Sequence, residues 1–127
     1  MKESLTIVLP IPVKVLMPNC TIATIGGRFA KAKAIKKHRQ LMCEAIHTEQ
    51  IETKPWERIQ VNVKFYYKTK RKRDQDNAMS SLKSFYDGIV DSGLIIDDDY
   101  EHMNRGIPSF EIDQKYPRVE FTITRIV

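Results

Sequence analysis

The chain has 127 residues and a mass of 14.8 kDa, enough for a single domain (1–127) around one hydrophobic core and too little for two. Apolar residues at 42% and charged residues at 29% lie near the globular average, which excludes a disordered, collagen-like or membrane composition. The net charge of +5 is unevenly placed, with 16 Lys/Arg against 5 Asp/Glu in residues 1–73 and 5 against 11 in residues 74–127, so the first half is expected to meet polyanions, nucleic acid before membrane surface.

Ser4 to Leu9 alternates apolar Leu5, Ile7 and Leu9 with polar Ser4 and Thr6 and ends at Pro10, which predicts a strand. The apolar run from Leu5 to Val13 is nine residues long and holds Pro10 and Pro12, so it fits neither a bilayer span nor a signal-peptide core, and a cytoplasmic setting is expected. Pro10, Pro12, Pro18, Asn19 and Gly26-Gly27 then predict an irregular loop over 10–30. Cys20 and Cys43 lie 23 positions apart with no metal-type spacing, so reduced thiols are the expectation.

From Arg28 to about His47, Phe29, Ala32, Ile35, Met42 and Ile46 recur at helical spacing, while Lys31, Lys33, Lys36, Lys37 and Arg39 crowd the remaining surface. A basic helix is predicted. Trp56, beside Pro55, reads as a core anchor ahead of the clearest strand, in which Ile59, Val61, Val63, Phe65 and Tyr67 alternate with polar neighbours. After the basic string Lys68, Lys70, Arg71, Lys72, Arg73, the residues Met79, Leu82, Phe85, Tyr86, Ile89 and Val90 fall on one helical stripe, with Asp76 or Asn77 as N-cap and Gly93 as the stop. An extended stretch over about 102–112, interrupted by Pro108, and a last strand with Val119, Phe121 and Ile123 complete the order β-α-β-α-β-β. That order predicts one mixed sheet with two main helices packed on it, in the α/β to α+β range. His38, His47 and His102 form no ligand spacing and are read as surface or packing residues.

The chemistry is expected where the charge changes sign. Asp74 and Asp76, two apart in an extended segment, would project to one side and share a cation. Carboxylates gathered within a few ångströms either raise their pKa values or bind a metal, and an all-oxygen set selects Mg²⁺ or Mn²⁺ over zinc. Asp76 and Lys83 lie seven positions apart, about 20° around a helix, and Asp87 lies one turn further, so the three form a row. Lys83 is the only Lys or Arg between Asp74 and Glu101, and its bland reading is a surface ion pair. Asp97-Asp98-Asp99 reads by itself as a turn or helix cap.

The order and spacing of these residues resemble the RusA family of Holliday-junction resolvases, particularly the bacterial and phage forms. The motifs are Arg73-Asp-Gln-Asp-Asn77, then Lys83 with Asp87 four further on, then Gly93-Leu-Ile-Ile-Asp-Asp98. Residues 73–98 carry the resemblance, and the order of elements extends it loosely to both ends. It implies a RusA-like, homodimeric, Mg²⁺-dependent endonuclease that resolves four-way DNA junctions by symmetric nicks, in recombination and repair. Carried over by position, Asp74, Asp76 and Asp98 match the metal-binding carboxylates and Lys83 the active-site lysine. Asp98 is chosen because it is the fifth residue after Gly93 and the eleventh after Asp87. From charge alone, and not from the resemblance, Lys68, Lys70, Arg71, Lys72 and Arg73, with Lys31, Lys33, Lys36, Lys37 and Arg39, are the expected DNA contacts.

Two departures accompany the match. Five residues, Ala78 to Leu82, separate Asn77 from Lys83, where compact family members have two. The N-terminal loop offers Pro10-Ile-Pro12 and Pro18-Asn19 in place of the family's Pro-Pro-Ser-x-Asn type of string. The readings that compete with a junction resolvase are a non-catalytic basic DNA-binding module and a nuclease for other branched DNA.

Overall fold

The computed structural model describes residues 3–13, 16, 25–51, 55–70 and 75–126, with the backbone alone for Ile25, Gln75 and Asp76. The strands are β1 (Ser4–Leu9), β2 (Arg58–Tyr67), β3 (Met103–Arg105), β4 (Ser109–Ile112) and β5 (Arg118–Ile126). The helices are α1 (Ile25–Thr48), α2 (Gln75–Ser81) and α3 (Lys83–Asp91). The strands form one mixed sheet in the order β1-β5-β2-β3, with β4 also on β2. β5 runs antiparallel to both β1 and β2, whereas β3 and β4 pair parallel with β2. This is a small α/β domain with a mixed sheet, as predicted, although the single extended stretch expected over about 102–112 is two short strands, β3 and β4, parted by residues 106–108.

Period-two alternation decides which face of the sheet is core. Leu5, Ile7 and Leu9 of β1, Ile59, Val61, Val63, Phe65 and Tyr67 of β2, and Val119, Phe121 and Ile123 of β5 are all buried, while their neighbours in sequence stay at least partly exposed. The helices supply the other side of the core through Met42 and Ile46 of α1 and Phe85, Tyr86 and Ile89 of α3. Phe85 and Tyr86 meet Phe121 edge-on, at centroid separations of 5.5 and 6.3 Å. Trp56 is buried as expected and donates its backbone N–H to the Leu94 carbonyl at 2.7 Å, which fastens the start of β2 to the end of α3.

The first helix begins earlier than the predicted Arg28. Gly26 and Gly27, read above as loop breakers, lie in its first turn, where backbone N–H groups have no intrahelical acceptor to lose. Phe29 belongs to the predicted apolar stripe but is 71% exposed, and Ala32 is exposed as well. Burial on α1 starts at His38 and continues through Met42 and Ile46. The basic first half of the helix therefore contributes surface and the second half contributes core. His38 donates from Nδ1 to the Ala34 carbonyl at 2.8 Å and stacks 4.8 Å from Phe85, and burial pushes its pKa down, so the ring packs as a neutral imidazole.

The predicted second helix is divided into α2 and α3 at Leu82. The buried Ser81 hydroxyl bonds back to the Ala78 carbonyl at 2.7 Å, and the Leu82 and Phe85 N–H groups reach the tighter i−3 carbonyls of Met79 and Leu82. A serine hydroxyl competing for a helix carbonyl in this way bends the helix. The five residues that separate Asn77 from Lys83 thus make up most of α2 and its junction with α3. Because α2 begins at Gln75, neither Asp76 nor Asn77 is its N-cap, and Met79 is 37% exposed instead of belonging to the core. Helix α3 stops as predicted at Gly93, whose φ of 85° a side chain would strain. At Gly88 of α3 the backbone of α1 comes so near that an added Cβ would stand 2.5 Å from the Arg39 carbonyl oxygen.

Candidate functional site

Lys83 opens α3, whose buried face carries Phe85, Tyr86 and Ile89, and is itself exposed. Its ammonium reaches Asp87, one turn on, at 2.9 Å and Asp98, fifteen residues away, at 2.7 Å. Both carboxylates lift the Lys83 pKa above its ordinary value, the Asp87 bond contributing most, so the lysine is a fixed cation at any physiological pH. Asp98 is held below its ordinary value, chiefly by the Lys83 hydrogen bond.

The three consecutive aspartates have three different partners. Asp97 accepts from the Asp98 backbone N–H at 2.7 Å. Asp99 accepts from the Glu101 and His102 backbone N–H groups and from the His102 ring, the last at 2.6 Å, so it shapes the turn from within. Asp98 alone of the three meets Lys83, and it is the one that the spacing from Gly93 and Asp87 selects.

A second cation converges on the same carboxylate. Arg105, at the end of β3, donates from Nη2 to the Asp98 backbone carbonyl at 2.7 Å and stands 3.2 Å from Asp98 Oδ2. Its guanidinium lies 4.5 Å from the ring centroid of Tyr86, a buried residue whose phenol burial pushes up to about 12 and so keeps protonated. Lys83, Arg105 and Tyr86, with Met79 and Ser80, line a groove of about 440 Å³. Neither Arg105 nor Tyr86 was among the expected site residues. An arginine beyond the aspartate turn was the available signal, but no helical or strand period links position 105 to position 98.

The other expected residues are distributed as follows. Asp74 lies outside the described residues, as do Arg71, Lys72, Arg73 and Cys20, and the Asp76 side chain is likewise outside them. Position 76 is helical, so the argument that an extended segment points Asp74 and Asp76 to one side does not hold. Lys31, Lys33, Lys36, Lys37, Lys68 and Lys70 are exposed. Arg39 is engaged differently from the expectation for a DNA contact: its Nε and Nη2 make a two-pronged pair with Asp91 at 2.8 and 2.7 Å, joining α1 to α3. Among the described residues no three His, Cys, Asp or Glu gather closely enough to hold a metal ion, and Asp98 is the one member of the expected triad whose side chain is described. Its donor chemistry, a hard carboxylate oxygen in a partly exposed position, suits Mg²⁺ or Mn²⁺.

Comparison with known proteins leaves these residues to stand by themselves: no family model matches the chain, and no curated protein matches it significantly. Among the described residues no helix is long and apolar enough to cross a membrane.

Proposed function

We propose that this chain is a Mg²⁺-dependent endonuclease that cuts branched DNA, with the four-way junction as its substrate and a homodimer as its working form. The observation that supports this most directly is the 2.7 Å contact between Lys83 and Asp98, two residues fifteen apart that the RusA-like pattern had already named for one site. A merely local surface pair would satisfy Lys83 with Asp87 alone. In the proposed mechanism Asp98, with Asp74 and Asp76, would hold the metal, which supplies an activated water and Lewis-acid stabilisation when bound. Lys83 would set a positive charge beside the groove, where charge that builds on a phosphate during hydrolysis is stabilised. Lys31, Lys33, Lys36, Lys37, Lys68 and Lys70 offer an exposed basic surface for the DNA backbone, with Arg71, Lys72 and Arg73 continuing that string in sequence. Two symmetric nicks need two sites, which a C2 dimer provides.

The test is a labelled synthetic four-way junction and a matched linear duplex, each incubated with the protein in the presence and absence of Mg²⁺, beside an Asp76→Asn variant. Paired nicks in the junction alone, dependent on Mg²⁺ and lost in the variant while binding persists, are expected. Tight binding with no cleavage in Mg²⁺ or Mn²⁺ would replace the nuclease by a DNA-binding module, and equal cutting of forks or flaps would widen the substrate to branched DNA in general.

A further inference from the structure

Arg105 lies outside residues 73–98, the stretch that carries the family resemblance, yet it is the residue most completely fixed onto Asp98. Its backbone is set by the sheet, since Arg105 pairs in register with Val61 and the next N–H, that of Gly106, bonds to the Val61 carbonyl at 3.1 Å. Its guanidinium is set by the buried Tyr86 ring beneath it at 4.5 Å. From that position one nitrogen reaches both the main chain and the carboxylate of Asp98, at 2.7 and 3.2 Å. Lys83 approaches the same oxygen, Oδ2, from α3 at 2.7 Å. The carboxylate is thereby held from the strand side and the helix side through a single oxygen.

We propose that Arg105 is a positioning residue of this site, fixing Asp98 in one orientation so that it can serve as a ligand for a divalent cation. This rests on the metal-dependent nuclease reading. The role uses a planar group that lies over an aromatic ring while one of its nitrogens donates to a carbonyl and stands beside a carboxylate; a lysine ammonium carries the charge but not the plane. Residues that orient a metal ligand without touching the metal contribute about 10- to 100-fold to metal affinity or activity.

The experiment is a Mn²⁺ titration followed by electron paramagnetic resonance, without DNA, on the wild type, Arg105→Lys, Arg105→Ala, Asp98→Asn and the Asp98→Asn/Arg105→Lys double variant, each first shown to unfold cooperatively on heating. Arg105→Lys keeps a cation on β3 and serves if Arg105→Ala does not fold. The expected result is Mn²⁺ affinity about 10-fold weaker in Arg105→Lys. The double variant should be no weaker than Asp98→Asn alone, because Arg105 acts through Asp98. In junction cleavage, Arg105→Lys should lower kcat and raise the Mg²⁺ needed for half-maximal rate while leaving KM for DNA unchanged, a split that a tether serving only stability would not produce. Wild-type Mn²⁺ affinity in Arg105→Lys, or a loss that adds to that of Asp98→Asn, overturns the proposal while the nuclease reading stands. A wild type that binds Mn²⁺ in an Arg105-dependent way but cuts no DNA removes the nuclease and keeps the positioning role, and a wild type that binds no Mn²⁺ removes both.

Discussion

Two cation–carboxylate clusters on this molecule look alike by distance and differ in everything else. Arg39 and Asp91 meet at 2.7 Å, and so do Lys83 and Asp98. Arg39 and Asp91 also line the larger groove, about 620 Å³ against about 440 Å³ for the one at Lys83. The Arg39 pair is a closed exchange: two donors meet two acceptors across α1 and α3, with side chains 44% and 35% exposed, which is the geometry of a surface fastening. At Asp98, by contrast, a helix and a strand each bring one cation to a single carboxylate carried by the loop between them, over an aromatic floor. Contact length and groove size therefore do not separate a fastening from a site. In the proposed function, what marks Asp98 out is that cations from a helix and a strand converge on it.

The contrast can be broken or sharpened by substitution. The largest expected difference is in cleavage: Lys83→Ala should lower junction cutting by about 100-fold or more if the lysine acts on a charged transition state, whereas Asp91→Asn should leave the rate within about twofold, as measured by single-turnover cleavage at saturating Mg²⁺. The packing behind the Arg39 pair gives the next largest effect. Gly88→Ala would place a Cβ 2.5 Å from the Arg39 carbonyl oxygen and 2.7 Å from Met42 Cβ, so α1 and α3 must move apart. Overpacking of this kind costs about 1–3 kcal/mol, readable as a lower midpoint in urea unfolding.

The response to pH concerns both clusters. Asp91 and Asp98 are each depressed below the usual carboxyl value of 3.8, Asp91 mainly by Arg39 and Asp98 mainly by Lys83. A carboxyl with a lower pKa when folded contributes stability that is complete above its unfolded pKa and is lost as pH falls through the folded value. Thermal unfolding followed from pH 6 downward should therefore show a steeper acid decline in the wild type than in either Asp91→Asn or Asp98→Asn. The smallest effect is that of Arg39→Ala, a loss of about 0–1 kcal/mol that added salt should diminish, again by urea unfolding.

Much of the fold was legible because its signals are short-range. Five apolar residues alternating from Ile59 to Tyr67 permit one buried face only, and the sheet uses it. Helical period was a weaker guide: it groups Phe29 with Met42, but it does not say how far along α1 the sheet and α3 extend beneath it, and Phe29 lies beyond them. Met79 fails in the same way, on the far side of the break at Leu82, beside which the Ser81 hydroxyl bonds to the Ala78 carbonyl. For the site, Lys83 and Asp98 were legible as a pattern of types and spacings, and Lys83 with Asp87 as helical neighbours. Arg105 was not, because its link to Asp98 depends on β3 pairing with β2, a contact between segments more than 40 residues apart.

The most direct test of the account compares Asp98→Asn with Asp91→Asn on a labelled four-way junction in Mg²⁺. Wild-type protein and Asp91→Asn should cut the junction at similar rates, while Asp98→Asn should bind it and leave it intact. Equal cutting by all three, or cutting by none, would contradict the assignment of Asp98 to a nuclease site.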